Sequence, residues 1–143
     1  MNERTILLVE DNQDDVELTL RALRKNDVRC QVHVAADGVA ALEYLLGPAL
    51  KPLPTFVLLD LKLPKVSGHE VLERIRREAR TRLLPVVVLT SSREQADLER
   101  CYALGANSYV RKPVDFDAFM RATRQLGSYW LEVNETPLPE GSF

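Results

Sequence analysis

Apolar residues in this chain gather into short dense runs, and each run stops at a charged or hydroxylated side chain. Ile6 to Val9 (ILLV) ends in Glu10 and Asp11, Phe56 to Leu59 (FVLL) in Asp60, and Pro85 to Leu89 (PVVVL) in Thr90, Ser91 and Ser92. Runs this short, bounded by turn residues, suit strands covered on both faces of a parallel sheet. Gln31 to Ala35 (QVHVA) alternates instead, with Val32 and Val34 on one face, which predicts a half-covered edge strand. Ser108 to Arg111 (SYVR) predicts a last short strand, closed by Lys112 and Pro113.

Between the runs the apolar spacing changes to that of helices. Asp14 or Asp15 is placed to cap a helix carrying Val16, Leu20 and Leu23 and ending near Asn26. Asp37 and Gly38 turn the chain into a helix over Val39 to Leu46. Ser67 and Gly68 precede another, with Val71, Leu72 and Ile75 on its apolar side and Arg74, Arg76, Arg77 and Arg80 read as a solvated outer face. Two more are predicted from Arg93 to Leu104, stopped by Gly105, and from Asp115 to Leu126. Gly47 to Pro54, with Pro48, Pro52 and Pro54, can be neither helix nor central strand and reads as a connector. Strands alternating with helices in this way predict an α/β fold, a doubly wound five-stranded parallel sheet with a crossover between successive strands.

Composition narrows the class. At 143 residues and 45% hydrophobic content, the chain supports one core and is too short for two ordinary domains. A net charge of -2 gives no polyanion-binding signature, so nucleic acid is not an expected partner. The amino-terminal apolar run is too short for a signal peptide or a membrane span, and the expected location is cytoplasmic. Cys30 and Cys101 have no metal-ligand spacing and read as free thiols; His33 and His69 read as surface or strand histidines.

The candidate chemistry lies at the carboxyl ends of the strands, which a parallel sheet brings to one edge: Glu10 and Asp11, then Asp60, Thr90 and Lys112. An Asp followed by a proline segment, taken alone, most often serves a turn. Three carboxylates within a few ångströms repel by roughly 4 kcal/mol per pair at 4 Å and an effective dielectric near 20, which demands cations. A hard divalent ion, Mg²⁺ with Mn²⁺ as an alternative, together with the Lys112 ammonium, meets that demand.

VEDN near the start, LLDLKLP with the following Gly68, VVVLTSS and SYVRKP together resemble the receiver domains of response regulators, over about Thr5 to Leu126. The resemblance implies strand order 2-1-3-4-5. It implies that Asp60 takes a phosphoryl group from a sensor histidine kinase or a phosphotransfer protein. Asp11, Asp60 and the backbone carbonyl of Lys62 would bind the metal directly, and Glu10, where many receivers have Asp, would bind it through water. Thr90 and Lys112 would hold phosphoryl oxygens, and Tyr109 would turn inward with Thr90 as the switch. Lys62 and Ser92 would tune phosphoryl lifetime, and Lys112–Pro113 would be cis. Such a protein is not an enzyme acting on other molecules; it serves its own phosphorylation and dephosphorylation.

Residues 1–127 form the receiver and 128–143 an extension. The 17 residues after Leu126 are too few for an output domain, so output is expected by contact. Tyr129, Trp130 and Leu131 either fold back or cover a partner chain, and Thr136 to Phe143 reads as a mobile end. The tail resembles stand-alone regulators of bacterial and cyanobacterial phytochrome-type histidine kinases, which implies a homodimer built on the fourth and fifth helices and this tail. Two other readings compete. Haloacid-dehalogenase-type phosphatases also use an Asp nucleophile with Mg²⁺, but need a second Asp where this chain has Lys62. The other is a receiver-like scaffold without phosphotransfer, which the full set of site residues disfavours.

Overall fold

Phe56 to Leu59 is buried at every position, as is Val86 to Thr90, because helices cover both faces of the sheet these strands share. The computed structural model describes residues 4–25, 29–49 and 51–138. The elements in chain order are β1 (Arg4–Val9), α1 (Gln13–Leu23), β2 (Cys30–Ala35), α2 (Gly38–Leu46), β3 (Phe56–Leu59), α3 (Gly68–Arg77), β4 (Val86–Thr90), α4 (Gln95–Ala103), β5 (Ser108–Arg111) and α5 (Phe116–Ser128). A π-helical turn, Tyr129–Val133, continues α5. The five strands pair in parallel in the order β2-β1-β3-β4-β5, as the resemblance implied.

Strand alternation divides the core in two. Leu7, Val9, Val57, Leu59, Val86 and Val88 face α2, α3 and α4, where they meet Ala41, Leu45, Leu72, Ile75 and Cys101. Their neighbours Ile6, Leu8, Phe56, Leu58, Val87 and Leu89 face α1 and α5, against Val16, Leu23 and Phe119. Among the described residues no helix is long and apolar enough to cross a membrane.

Several boundaries differ from expectation for local reasons. The cap of α1 is Asn12, whose side chain accepts from the Asp15 amide at 3.0 Å, and the helix closes at Leu23 rather than near Asn26, which lies outside the described residues. On β2, Val32 is half-buried but Val34 is exposed, so the predicted alternation holds only in part. The helix α4 starts at Gln95, not Arg93, because the chain turns after Ser92. Gly105 follows it at φ 101°, a left-handed conformation that glycine adopts without strain.

The arginines after Ser67 are the largest correction. Arg76 does not point to solvent. Its Nε donates to the Gly105 carbonyl at 2.8 Å, and its terminal nitrogens reach the Leu84 carbonyl and Asn107 Oδ1, each at 2.7 Å. Arg80 likewise donates to the carbonyls of Leu45 and Lys51, anchoring the connector that follows α2. The expected mobile end is also partly ordered: Leu138 packs on the α2–α3–α4 core, while 139–143 lie outside the described residues.

Candidate functional site

Each strand end is carried one residue further by the ladder, and this places the site. The Glu10 amide donates to the Ala35 carbonyl at 3.0 Å, the Asp60 amide to the Val9 carbonyl at 3.0 Å, and the Lys112 amide to the Thr90 carbonyl at 2.7 Å. Glu10, Asp60 and Lys112 therefore leave the same edge of the sheet in fixed register. The segment after Asp60 is pressed close: a Cβ on Gly68 would lie 2.3 Å from the Asp60 carbonyl oxygen, so only glycine fits there.

The acids converge as the sequence required. Glu10, Asp11 and Asp60 each offer a carboxylate oxygen, all within 4.8 Å of one another, with Glu10 and Asp60 buried and Asp11 exposed. These hard oxygen donors fit a divalent cation such as Mg²⁺ or Mn²⁺. Lys112 Nζ lies 2.6 Å from Glu10 Oε1, 2.8 Å from Asp15 Oδ2 and 3.5 Å from Asp60 Oδ2. Asp60 Oδ1 accepts the Leu61 amide at 2.8 Å, which leaves Oδ2 toward the lysine. Burial pushes the Glu10 carboxyl up from 4.5 to about 7, with the Asp60 charge adding to the shift and the Lys112 hydrogen bond opposing it. For Lys112, burial works against the charged form, yet the bonds to Asp15 and Glu10 and the Asp60 charge outweigh it and hold the ammonium above its ordinary value.

Asp15 is the residue that sequence reasoning missed here, because its helical position suggested a cap. Lys112–Pro113, expected cis, is trans; the ammonium reaches Glu10, Asp15 and Asp60 from the trans chain, the form X-Pro bonds favour by about 0.5–1 kcal/mol.

Beside the acids, Thr90 is fully buried and its Oγ1 accepts the Ser92 amide at 3.3 Å. Ser92 Oγ is turned to Asp97 Oδ2 at 2.5 Å, and Asp97 Oδ1 is 3.1 Å from His69 Nε2. His69 is thus a buried residue of α3, not a surface or strand histidine. The Ser92 bond, then the His69 bond, hold the Asp97 carboxyl below the usual carboxylate range. The Cys101 thiol, 3.7 Å from His69 Nδ1, is pushed up to about 11 by burial and is inert as a nucleophile. Tyr109 is half-buried, with its hydroxyl enclosed and without a hydrogen-bond partner; burial raises its phenol, and the Ser92 hydroxyl beside it offsets part of that. The Lys62 side chain is exposed, on the side of Asp97.

The three tail residues separate. Leu131 is buried in its own domain, Trp130 packs on Phe56 with ring centroids 6.3 Å apart, and Tyr129 is exposed beside a groove of about 470 Å³ lined by Arg121, Arg124, Gln125 and Val133. Leu131 is therefore not available to a partner chain.

A model of the response regulator receiver domain matches residues 6–124. The chain is 45% identical to the probable methanogenesis regulatory protein FilR2 of Methanothrix harundinacea, over 94% of this chain and 88% of that protein. It is 34% identical to the response regulator Rcp1 of Synechocystis, over 94% and 93% of the two chains. The crystal structure of the Mn²⁺-bound form of Rcp1 superposes with a TM-score of 0.89, covering 94% of this chain and 99% of that one. The phosphorylated cyanobacterial phytochrome response regulator RcpA, 32% identical, also gives 0.89, covering 95% and 99%.

Proposed function

This chain belongs to the response regulator receiver domain family, closely related to single-domain regulators of two-component systems, and from that premise we propose that Asp60 is its phosphoryl acceptor and Mg²⁺ its cation. The observation that carries the reading is the convergence of Glu10, Asp11 and Asp60 within 4.8 Å, with the Lys112 ammonium against two of them. The relatives include a phytochrome response regulator and a probable methanogenesis regulatory protein, so the shared property is receiver chemistry rather than one stimulus. The phosphoryl donor is a sensor histidine kinase or phosphotransfer protein, and a phytochrome-type kinase is the narrower candidate.

Asp11 and Asp60, with the Lys62 carbonyl, would hold the cation directly, and Glu10 would hold it through water. When bound, it neutralises charge on the acids and on the transferred group. The Leu61 amide fixes Asp60 through Oδ1, so Oδ2 attacks phosphorus. The new O–P bond forms as the donor's N–P bond breaks, and the freed imidazole keeps the electron pair. The transition state is loose, so positioning and positive charge do most of the work. Lys112 is already ordered beside Oδ2 by Glu10 and Asp15, and the Thr90 hydroxyl can turn to donate to a phosphoryl oxygen. The chain acts on its own carboxylate and turns over no separate substrate.

Incubation with acetyl phosphate and Mg²⁺, followed by mass spectrometry, tests this. An acid-stable, base-labile adduct that disappears in Asp60→Asn is expected; an unmodified wild-type chain would sink the reading in favour of a scaffold.

A further inference from the structure

A polar chain runs from the site above into α3 and α4. It starts at Thr90 Oγ1, passes through the Ser92 amide at 3.3 Å and the Ser92 hydroxyl to Asp97 at 2.5 Å, then to His69 Nε2 at 3.1 Å, and ends at Cys101 Sγ, 3.7 Å from Nδ1. A carboxylate only accepts, so Asp97 accepts the Ser92 hydroxyl hydrogen bond at Oδ2 and the His69 Nε2–H hydrogen bond at Oδ1. His69 Nδ1 faces the Cys101 thiol. His69, Ser92 and Cys101 are buried, while Asp97 between them is half-buried and keeps one edge toward water.

The chain joins three elements: α3 through His69, α4 through Asp97 and Cys101, and the loop after β4 through Ser92. Ser92 also accepts the Glu94 amide at 3.3 Å, the residue that caps α4, so this arm fixes where α4 begins. Ser92, Asp97 and Cys101 lie near enough to Tyr109 to influence its phenol, and the hydroxyl they surround has no hydrogen-bond partner. The Tyr109 ring packs on the α2–α3–α4 core and the Ser92 hydroxyl is the polar group beside its phenol, so where Ser92 is held bears on how well the ring stays turned in.

We infer that His69 is a positioning residue for the phosphorylation switch: by holding Asp97 it fixes Ser92 and the start of α4, and so favours the conformation with Tyr109 turned in. The inference rests on Asp60 being the acceptor. A phosphoryl group, or a mimic of it, that favours the turned-in conformation binds more weakly in proportion as that conformation is depopulated. His69 reaches the reaction only through Asp97 and Ser92, and no atom of it enters the acid cluster.

The test titrates the full chain with beryllofluoride in Mg²⁺ and reads half-saturation together with hydrogen exchange of the α4 amides. His69→Leu should raise half-saturation roughly tenfold, the equivalent of one hydrogen bond to a charged group, and remove protection at the start of α4. His69→Gln, whose amide can still donate to Asp97, should stay within about twofold of wild type. Ser92→Ala should resemble His69→Leu, and the double variant should be little worse than either single one, because both act through Asp97. Unchanged half-saturation in folded His69→Leu overturns the inference. Should His69→Leu not fold, His69→Phe, which keeps a buried ring without an N–H donor, decides in the same way. A wild-type chain that binds no beryllofluoride overturns the proposed acceptor; a wild-type response with an equal His69→Leu response overturns only the role of His69.

Discussion

Glu10 shows how one side chain couples the site to pH. Its raised carboxyl means that the folded protein binds a proton between pH 4.5 and about 7 that the unfolded chain has already released. Stability of the cation-free protein should therefore fall as pH rises through that window, by at most on the order of 3 kcal/mol, and Glu10 should add no slope outside it. Urea unfolding in chelator at several pH values measures this, and Glu10→Gln should flatten the curve. Because cation binding needs the ionised carboxylate, Mg²⁺ should release protons in the same window and oppose the fall. A wild-type curve that rises from pH 5 to 7 would show that the Lys112 bond, not burial, governs Glu10. The longer arm of Glu, compared with the Asp common in receivers, lets one oxygen bond Lys112 at 2.6 Å while the other accepts the Asn12 amide at 3.2 Å.

At the level of elements, what the sequence made legible and what it hid have separate physical causes. The strands were readable because burial on both faces leaves no polar position to blur the pattern, as in Phe56 to Leu59. The acids, Thr90 and Lys112 were readable because strand ends share an edge. The side chains that tie elements together were not, since periodicity assigns a residue to a face and says nothing about how far a long polar side chain reaches. Asp15 was read as a cap yet bonds Lys112, His69 as a surface or strand histidine yet bonds α4, and Arg76 as solvated yet joins α3 to the turns that precede β4 and β5. Arg76→Ala should cost roughly 1–3 kcal/mol by chemical denaturation, because it leaves the partly buried Gly105 and Leu84 carbonyls without their donor. Arg76→Lys should recover little of this, since an ammonium cannot span Gly105, Leu84 and Asn107 at once. A loss below about 0.5 kcal/mol in Arg76→Ala would mean that water replaces the fork.

The tail decides how the whole molecule could meet a second copy of itself, and its residues must be tested separately because they do different things. Deleting everything after Ser128 would remove Leu131, which is 1% exposed, and the Trp130 contact with Phe56, so a change in mass could follow from lost folding alone. Leu131→Ala by itself should cost about 2–5 kcal/mol, as for other buried leucines. Tyr129 and Val133 are 46% and 68% exposed and flank the groove beside Arg121 and Arg124, so replacing both with serine should cost little more than the edge-to-face contact of Tyr129 on Trp130 at 5.0 Å, about 0.5–1.5 kcal/mol. If α5 and this turn form the dimer surface, that pair of substitutions should lower the light-scattering mass toward the monomer while the chain stays cooperatively folded. An unchanged dimeric mass would locate the self-contact elsewhere and leave the turn as a cover for the α1–α5 core, which Leu131 already completes.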